Sequence, residues 1–132
     1  MAVRASSSVP GGFQPVSING REYVDGGLVS PVPVRVAKSL GADIVIAVDI
    51  SAKPRSSKIG STFDMLLQTF SIMGQSISNY ELAQADVVLR PANGDMGPAD
   101  FQARHLAILE GEQAVMRKLP EIRAKIAQFL AR

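Results

Sequence analysis

Residues 22 to 34 run Glu-Tyr-Val-Asp-Gly-Gly-Leu-Val-Ser-Pro-Val-Pro-Val and set one acid, Asp25, between a short strand-like stretch and two glycines. An acid at such a corner can do proton-transfer chemistry. In open α/β sheets the reacting groups collect at the carboxyl ends of strands, and glycine supplies the dihedral freedom and close approach that the corner requires. The same residue also has a simpler use, because an aspartate before glycine commonly accepts a backbone hydrogen bond and caps a turn. Gly26 and Gly27 serve geometry under either use, keeping the backbone clear of the acid and of whatever approaches it.

The other residues that could take part in nucleophilic chemistry are less well placed. His105 is the single histidine, and it falls in a helical pattern beside Phe101 and Ile108. That position predicts a partly buried structural histidine, whereas the histidine of a Ser-Asp-His hydrolase triad lies on a loop at the active edge of the sheet. Ser6, Ser7 and Ser8 have no elbow glycines in the right frame and read as residues that end a helix or pack closely before Pro10-Gly11-Gly12. Gly74-Gln-Ser76-Ile-Ser lacks the closing glycine of a nucleophile elbow and lies inside a helical pattern. Arg4 reads as a structural ion-pair partner or as a residue that holds the loop beside the acid. Asp43 and Asp49 bracket a strand without a spacing that suggests metal, and the absence of cysteine excludes disulfides, thiolate metal sites and a cysteine nucleophile.

The elements that must position these residues alternate between strand and helix. Residues 43 to 50, Asp-Ile-Val-Ile-Ala-Val-Asp-Ile, form a near-continuous apolar run, which predicts a strand covered on both faces, and residues 86 to 90 repeat the pattern. Between them Phe63, Leu66, Leu67, Phe70, Met73, Ile77 and Tyr80 recur at helical spacing, with Ser61 and Asp64 as a capping pair at the start. Strand, helix, strand implies a right-handed crossover and a parallel pair. Pro33 to Leu40 suits a short helix closed by Gly41. Phe101 to Leu119 predicts a second long amphipathic helix, with Ile108, Leu109, Val115 and Met116 on its apolar side, and Pro120 is expected to break it and begin another. Met65, Met73 and Met116 are expected to fill core. Residues 1 to 9 read as the last turns of a preceding element, followed by an extended stretch through Val16 and Ile18 that would add strands to the sheet.

Composition limits the function classes. With 132 residues, 46% hydrophobic and 20% charged, the chain has the make-up of an ordinary globular domain or of half a larger one. The net charge of +2 is mild, there is no Trp, and only two Tyr are available for stacking, so a nucleic-acid partner is not expected. Lys53, Arg55 and Lys58 form the densest basic group, in a loop leaving the strand at 43 to 50. This loop reads as a solvated connection, or as a contact for anionic headgroups. The longest aliphatic run, Ile44 to Val48, is five residues, far short of the roughly 20 that a membrane span needs. A cytoplasmic protein that could touch a membrane peripherally is expected.

Taken in order, Arg4-Ala-Ser-Ser-Ser-Val-Pro-Gly-Gly-Phe-Gln-Pro-Val, Gly20-Arg-Glu-Tyr-Val-Asp-Gly-Gly-Leu-Val-Ser-Pro-Val-Pro-Val and Leu40-Gly-Ala-Asp-Ile-Val-Ile-Ala-Val-Asp resemble the C-terminal part of the patatin-like phospholipase family, especially its bacterial members. Residues 4 to 50 carry the most specific part of the resemblance, and residues 60 to 132 match in layout. The resemblance implies an α/β fold: residues 1 to 132 would be the C-terminal portion of one α/β/α three-layer sandwich with a mainly parallel sheet. It also implies hydrolysis of lipid acyl esters by a Ser/Asp dyad, without metal or organic cofactor, in which Asp25 of Asp25-Gly26-Gly27 takes the aspartate's place. The Gly-x-Ser-x-Gly elbow and the glycine-rich oxyanion loop of the family do not occur in these 132 residues, so the chain alone is expected to be inactive. Its expected partners are a lipid or acyl ester substrate, the N-terminal portion of the same domain, and a second copy that could cover an exposed sheet edge. The alternative is a non-catalytic interaction or scaffold module that keeps the family's C-terminal fold.

Overall fold

A computed structural model describes residues 1–51, 61–92, 96 and 101–131. The loop bearing Lys53, Arg55 and Lys58 and the side chains of Phe63 and Phe101 lie outside the described residues. Helix α1, Ala2–Ala5, opens the chain and is ended by its serines. The Ser6 and Ser7 hydroxyls both donate to the Val3 carbonyl, and the Ser8 hydroxyl donates to that of Arg4 at 2.8 Å. Side chains that satisfy the last carbonyls in this way compete with continued helix.

Strands β1, Val16–Ile18, and β2, Arg21–Tyr23, form an antiparallel pair with Ile18 opposite Arg21. Two residues join them, Asn19 at φ 52° and Gly20 at φ 76°. This is the primed turn whose twist matches a hairpin, and Asn-Gly suits it because both central residues need positive φ. The stretch that was expected to extend the parallel sheet is therefore a separate hairpin, since a connection this short cannot make a parallel crossover.

A single turn of 3-10 helix, Gly26–Leu28, follows β2 and leads to helix α2, Val34–Ser39. Pro33 stands at the α2 N-cap, and Gly41, at φ 94°, takes the left-handed position just past its end. Strand β3, Ile46–Val48, helix α3, Thr62–Leu82, and strand β4, Val87–Leu89, complete the expected strand–helix–strand unit, with Ile46, Ala47 and Val48 pairing in parallel with Val87, Val88 and Leu89. Ser61 caps α3: its hydroxyl oxygen accepts the Asp64 N–H at 3.1 Å and its O–H reaches the Asp64 carboxylate at 2.8 Å.

Val34, Val45, Ala47 and Leu82 form the buried core, so α2 and α3 meet the parallel pair on one side. Val87 and Leu89 are also buried, and α4 packs against β4. Their parallel partners Ile46 and Val48, which share a face with them, are 41% and 49% exposed. The expected strand with both faces covered is therefore open on half of one face. The expected apolar faces of the long helices are likewise open: Leu66, Phe70, Met73, Ile108, Leu109 and Met116 are exposed. Small or polar residues, Ser78, Glu81 and Ala114, take the most buried positions alongside Leu82.

After a 3-10 turn at Phe101–Ala103, helix α4 runs unbroken over Arg104–Leu130 with Pro120 inside it. Proline removes one backbone donor and crowds the carbonyl four residues earlier, at a cost of about 3 kcal/mol in a helix interior. Here the flanking residues are strong helix formers, and a 2.6 Å Lys118–Glu121 ion pair spans the proline. The expected break is thereby absorbed within one helix. No helix among the described residues is long and apolar enough to cross a membrane.

Candidate active site

Asp25 is held by its own neighbours on both sides. Its N–H donates to the carbonyl of buried Ser8 at 3.0 Å, which ties the end of β2 to the serine turn after α1. Its Oδ1 accepts the Gly27 N–H at 2.7 Å, so the side chain caps the 3-10 turn that begins at Gly26. The capping use therefore holds, and it does not exhaust the carboxylate. Oδ2 has no hydrogen-bond partner among the described residues, and Asp25 is only half buried. A carboxylate with one oxygen locked by an amide and the other open can accept a proton from a hydroxyl brought within about 3 Å.

The two glycines differ. A Cβ on Gly27 would lie 2.9 Å from Asp25 Oδ1, closer than real Cβ atoms come, while one on Gly26 would meet nothing within 4 Å. Gly27 is needed for the capped carboxylate to stand where it does, whereas Gly26 faces open space.

The remaining candidates stay apart from Asp25. His105 lies in the first turn of α4 and is exposed, where partial burial was expected, and no hydrogen bond or ion pair joins it to Asp25. Its place on the helix surface is solvated because the α4 side chains around it, Leu106 and Ile108, are exposed as well. Ser76 sits within α3 with its hydroxyl turned back to the Ile72 carbonyl, and Ser6, Ser7 and Ser8 are spent on ending α1. Arg4 contributes its carbonyl, and its side chain makes no ion pair among the described residues. Asp49 pairs with Arg90 at 3.1 Å across the ends of β3 and β4. No three metal-ligating side chains gather among the described residues.

Sequence reading passes over Glu81. This residue, 1% exposed in the last turn of α3, accepts the Ser30 hydroxyl on Oε1 at 2.7 Å and faces the Arg35 guanidinium at 3.6 Å. Arg35 in turn stands 6.0 Å over the Tyr80 ring. Burial pushes the Glu81 carboxyl up, but the Ser30 hydroxyl, the backbone amides of Arg35 and Val34, and the Arg35 charge together outweigh it and leave the pKa below its ordinary value. Oε2 is buried without a hydrogen-bond partner. A negative charge in the last turn of a helix opposes the helix dipole, and that mismatch is the one local signal that could have marked Glu81.

The patatin-like phospholipase family model matches residues 1–38, the segment that runs from α1 through Asp25 into α2. An uncharacterised NTE family protein of Mycobacterium tuberculosis is 38% identical over 50 residues, which are 38% of this chain and 14% of that relative. Lysophospholipase NTE1 of Coccidioides immitis is 46% identical over 50 residues, 38% of this chain and 3% of that protein. The corresponding lysophospholipase of Phaeosphaeria nodorum is 42% identical over the same length and likewise matched over 3% of its own chain. The similarity thus covers a small part of much longer relatives.

Proposed function

We propose that residues 1 to 132 are the C-terminal portion of a patatin-like domain that hydrolyses lipid acyl esters, with Asp25 as the acid of a Ser/Asp dyad. The serine would come from a part of the domain outside these residues. Asp25 Oδ2 would accept the serine proton as the hydroxyl attacks the acyl carbonyl and give it to the departing alcohol oxygen, leaving a seryl ester. Asp25 would then take a proton from the attacking water and return it to the serine oxygen as the fatty acid leaves. Gly27 N–H, bound to Oδ1, would keep the carboxylate aimed while the proton moves to Oδ2.

The observation that carries this reading is the half-used carboxylate of Asp25, capped on one oxygen and open on the other, within the segment that the family model matches. The open half-face of the parallel pair is consistent with a domain that continues beyond this chain. The names of the fungal relatives make a lysophospholipid the first substrate to try. In the full-length protein Asp25→Asn should lower kcat for fatty-acid release by about a hundredfold or more, the usual worth of a positioned base, without lowering Tm. The 132-residue chain alone should not turn over a short-chain p-nitrophenyl ester. Full activity in the variant, or serine-inhibitor-sensitive turnover by this chain alone, would overturn the assignment, and an inactive, stably folded full-length protein would favour the interaction module.

A further inference from the structure

We infer that Glu81 is a positioning residue for Asp25, acting through Ser30 to fix the turn that aims the carboxylate. The inference rests on the dyad reading above. The turn is continuous in hydrogen bonds: Asp25 Oδ1 accepts Gly27 N–H at 2.7 Å, the Gly26 carbonyl accepts the N–H groups of Val29 and Ser30 at 3.1 and 3.0 Å, and the Ser30 hydroxyl donates to Glu81 Oε1 at 2.7 Å. Behind Asp25 the Ser8 carbonyl holds the other end. A six-residue turn with two such anchors cannot rotate as a body without breaking one of them.

Each feature of Glu81 fits that use better than a general contribution to packing. Its carboxylate is buried in the last turn of a helix, where charge is disfavoured by both burial and the helix dipole. It nevertheless spends its best hydrogen bond on a hydroxyl in the turn that carries the acid. Arg35, 59% exposed, lies against the same oxygen and offsets the charge from the solvent side. Outer hydrogen bonds of this kind orient a reacting group that they never touch.

The test compares Glu81→Ala, Glu81→Gln and Ser30→Ala in the full-length protein. Glu81→Ala and Ser30→Ala should each lower kcat by about tenfold or more with KM within about twofold, as expected when a reacting group is misplaced by a fraction of its working distance. Glu81→Gln, whose amide oxygen can still accept the Ser30 hydroxyl, should recover most of the loss. Hydrogen exchange at Gly27 and Ser30 should quicken in both alanine variants while exchange in β3 and β4 is unchanged. In an Asp25→Asn background, Glu81→Ala should add no further loss of kcat, because the two act as a unit.

Unchanged kcat in folded Ser30→Ala or Glu81→Ala, or unchanged exchange at Gly27 and Ser30, would overturn the inference. Should Glu81→Ala fail to fold, Ser30→Ala decides alone. If Asp25→Asn itself keeps full activity, the dyad reading fails, and the exchange result still judges whether Glu81 holds the turn.

Discussion

Gly27 donates its N–H to Asp25 Oδ1 at 2.7 Å, and the same oxygen occupies the place that a Cβ on Gly27 would need. One contact therefore both caps the turn and leaves no room for a Cβ unless the carboxylate moves. Gly27→Ala should turn the Asp25 carboxylate aside. A flexible side chain can yield at a cost of about 1 kcal/mol, so stability should fall little while kcat of the full-length protein falls about tenfold or more. Gly26→Ala, whose Cβ faces open space, should leave kcat within about twofold. Steady-state kinetics on the two variants, with Tm measured in parallel, makes the comparison, and equal losses at both positions would contradict it.

His105 is exposed on the first turn of α4 and bonded to nothing that touches Asp25. His105→Ala should therefore leave turnover and its pH profile unchanged within about twofold. A loss of the order expected for a general base, with Tm unaffected, would mean that a histidine takes part in the chemistry.

Acid should weaken the fold at Asp86, whose carboxylate holds the backbone at the start of the parallel pair. The Val45 amide donates to Asp86 Oδ2 at 3.0 Å, and with Lys38 at 3.8 Å and the more distant Lys125 charge it outweighs burial, holding the Asp86 carboxyl below its ordinary value of 3.8. A carboxyl depressed in the folded state stabilises fully above its unfolded pKa, and that contribution is lost as pH falls through the lower folded value. Glu81 shifts in the same direction. Asp86→Asn should accordingly be less stable than the parent at pH 7 and lose less on going below pH 3.8. Urea unfolding at neutral and acid pH reads both, and parallel acid limbs for the two proteins would sink the assignment.

Pro120 stands inside α4 without ending it. Pro120→Ala restores a backbone donor to the helix and should raise unfolding free energy by about 1–3 kcal/mol. The exposed Lys118–Glu121 pair that spans it should matter far less, by under about 1 kcal/mol in Lys118→Ala. Urea denaturation of the two variants ranks them, and a destabilised Pro120→Ala would show that the proline has a role that the helix geometry does not reveal.

What could be read from the sequence was local. Ser61 and Asp64 announce the start of α3, Gly41 the end of α2, and the apolar runs around Ala47 and Val88 the parallel pair, because each signal is complete within a few residues. Asn19-Gly20 is as local, yet following apolar runs alone passes over a hairpin whose strands are three residues long. The α4 proline misleads because single-residue cost says nothing about the strength of its flanks. Burial was the least legible property: Phe70, Met73 and Met116 have helical spacing but face solvent, while Ser78 and Glu81 lie inside. Spacing tells which residues share a face. It does not tell which face the rest of the molecule covers.

The bond between Ser30 and Glu81 joins residues 51 positions apart. A ribosome delivers Asp25, Gly27 and Ser30 well before it delivers Glu81, so the capped turn can form early but stays unanchored on one side until α3 has been synthesised and has docked. Loop-closure entropy makes such a distant contact one of the later events in folding. In a nascent chain, the Asp25 turn would gain its second anchor only after most of α3 had emerged, a built-in delay between making the turn and fixing its place.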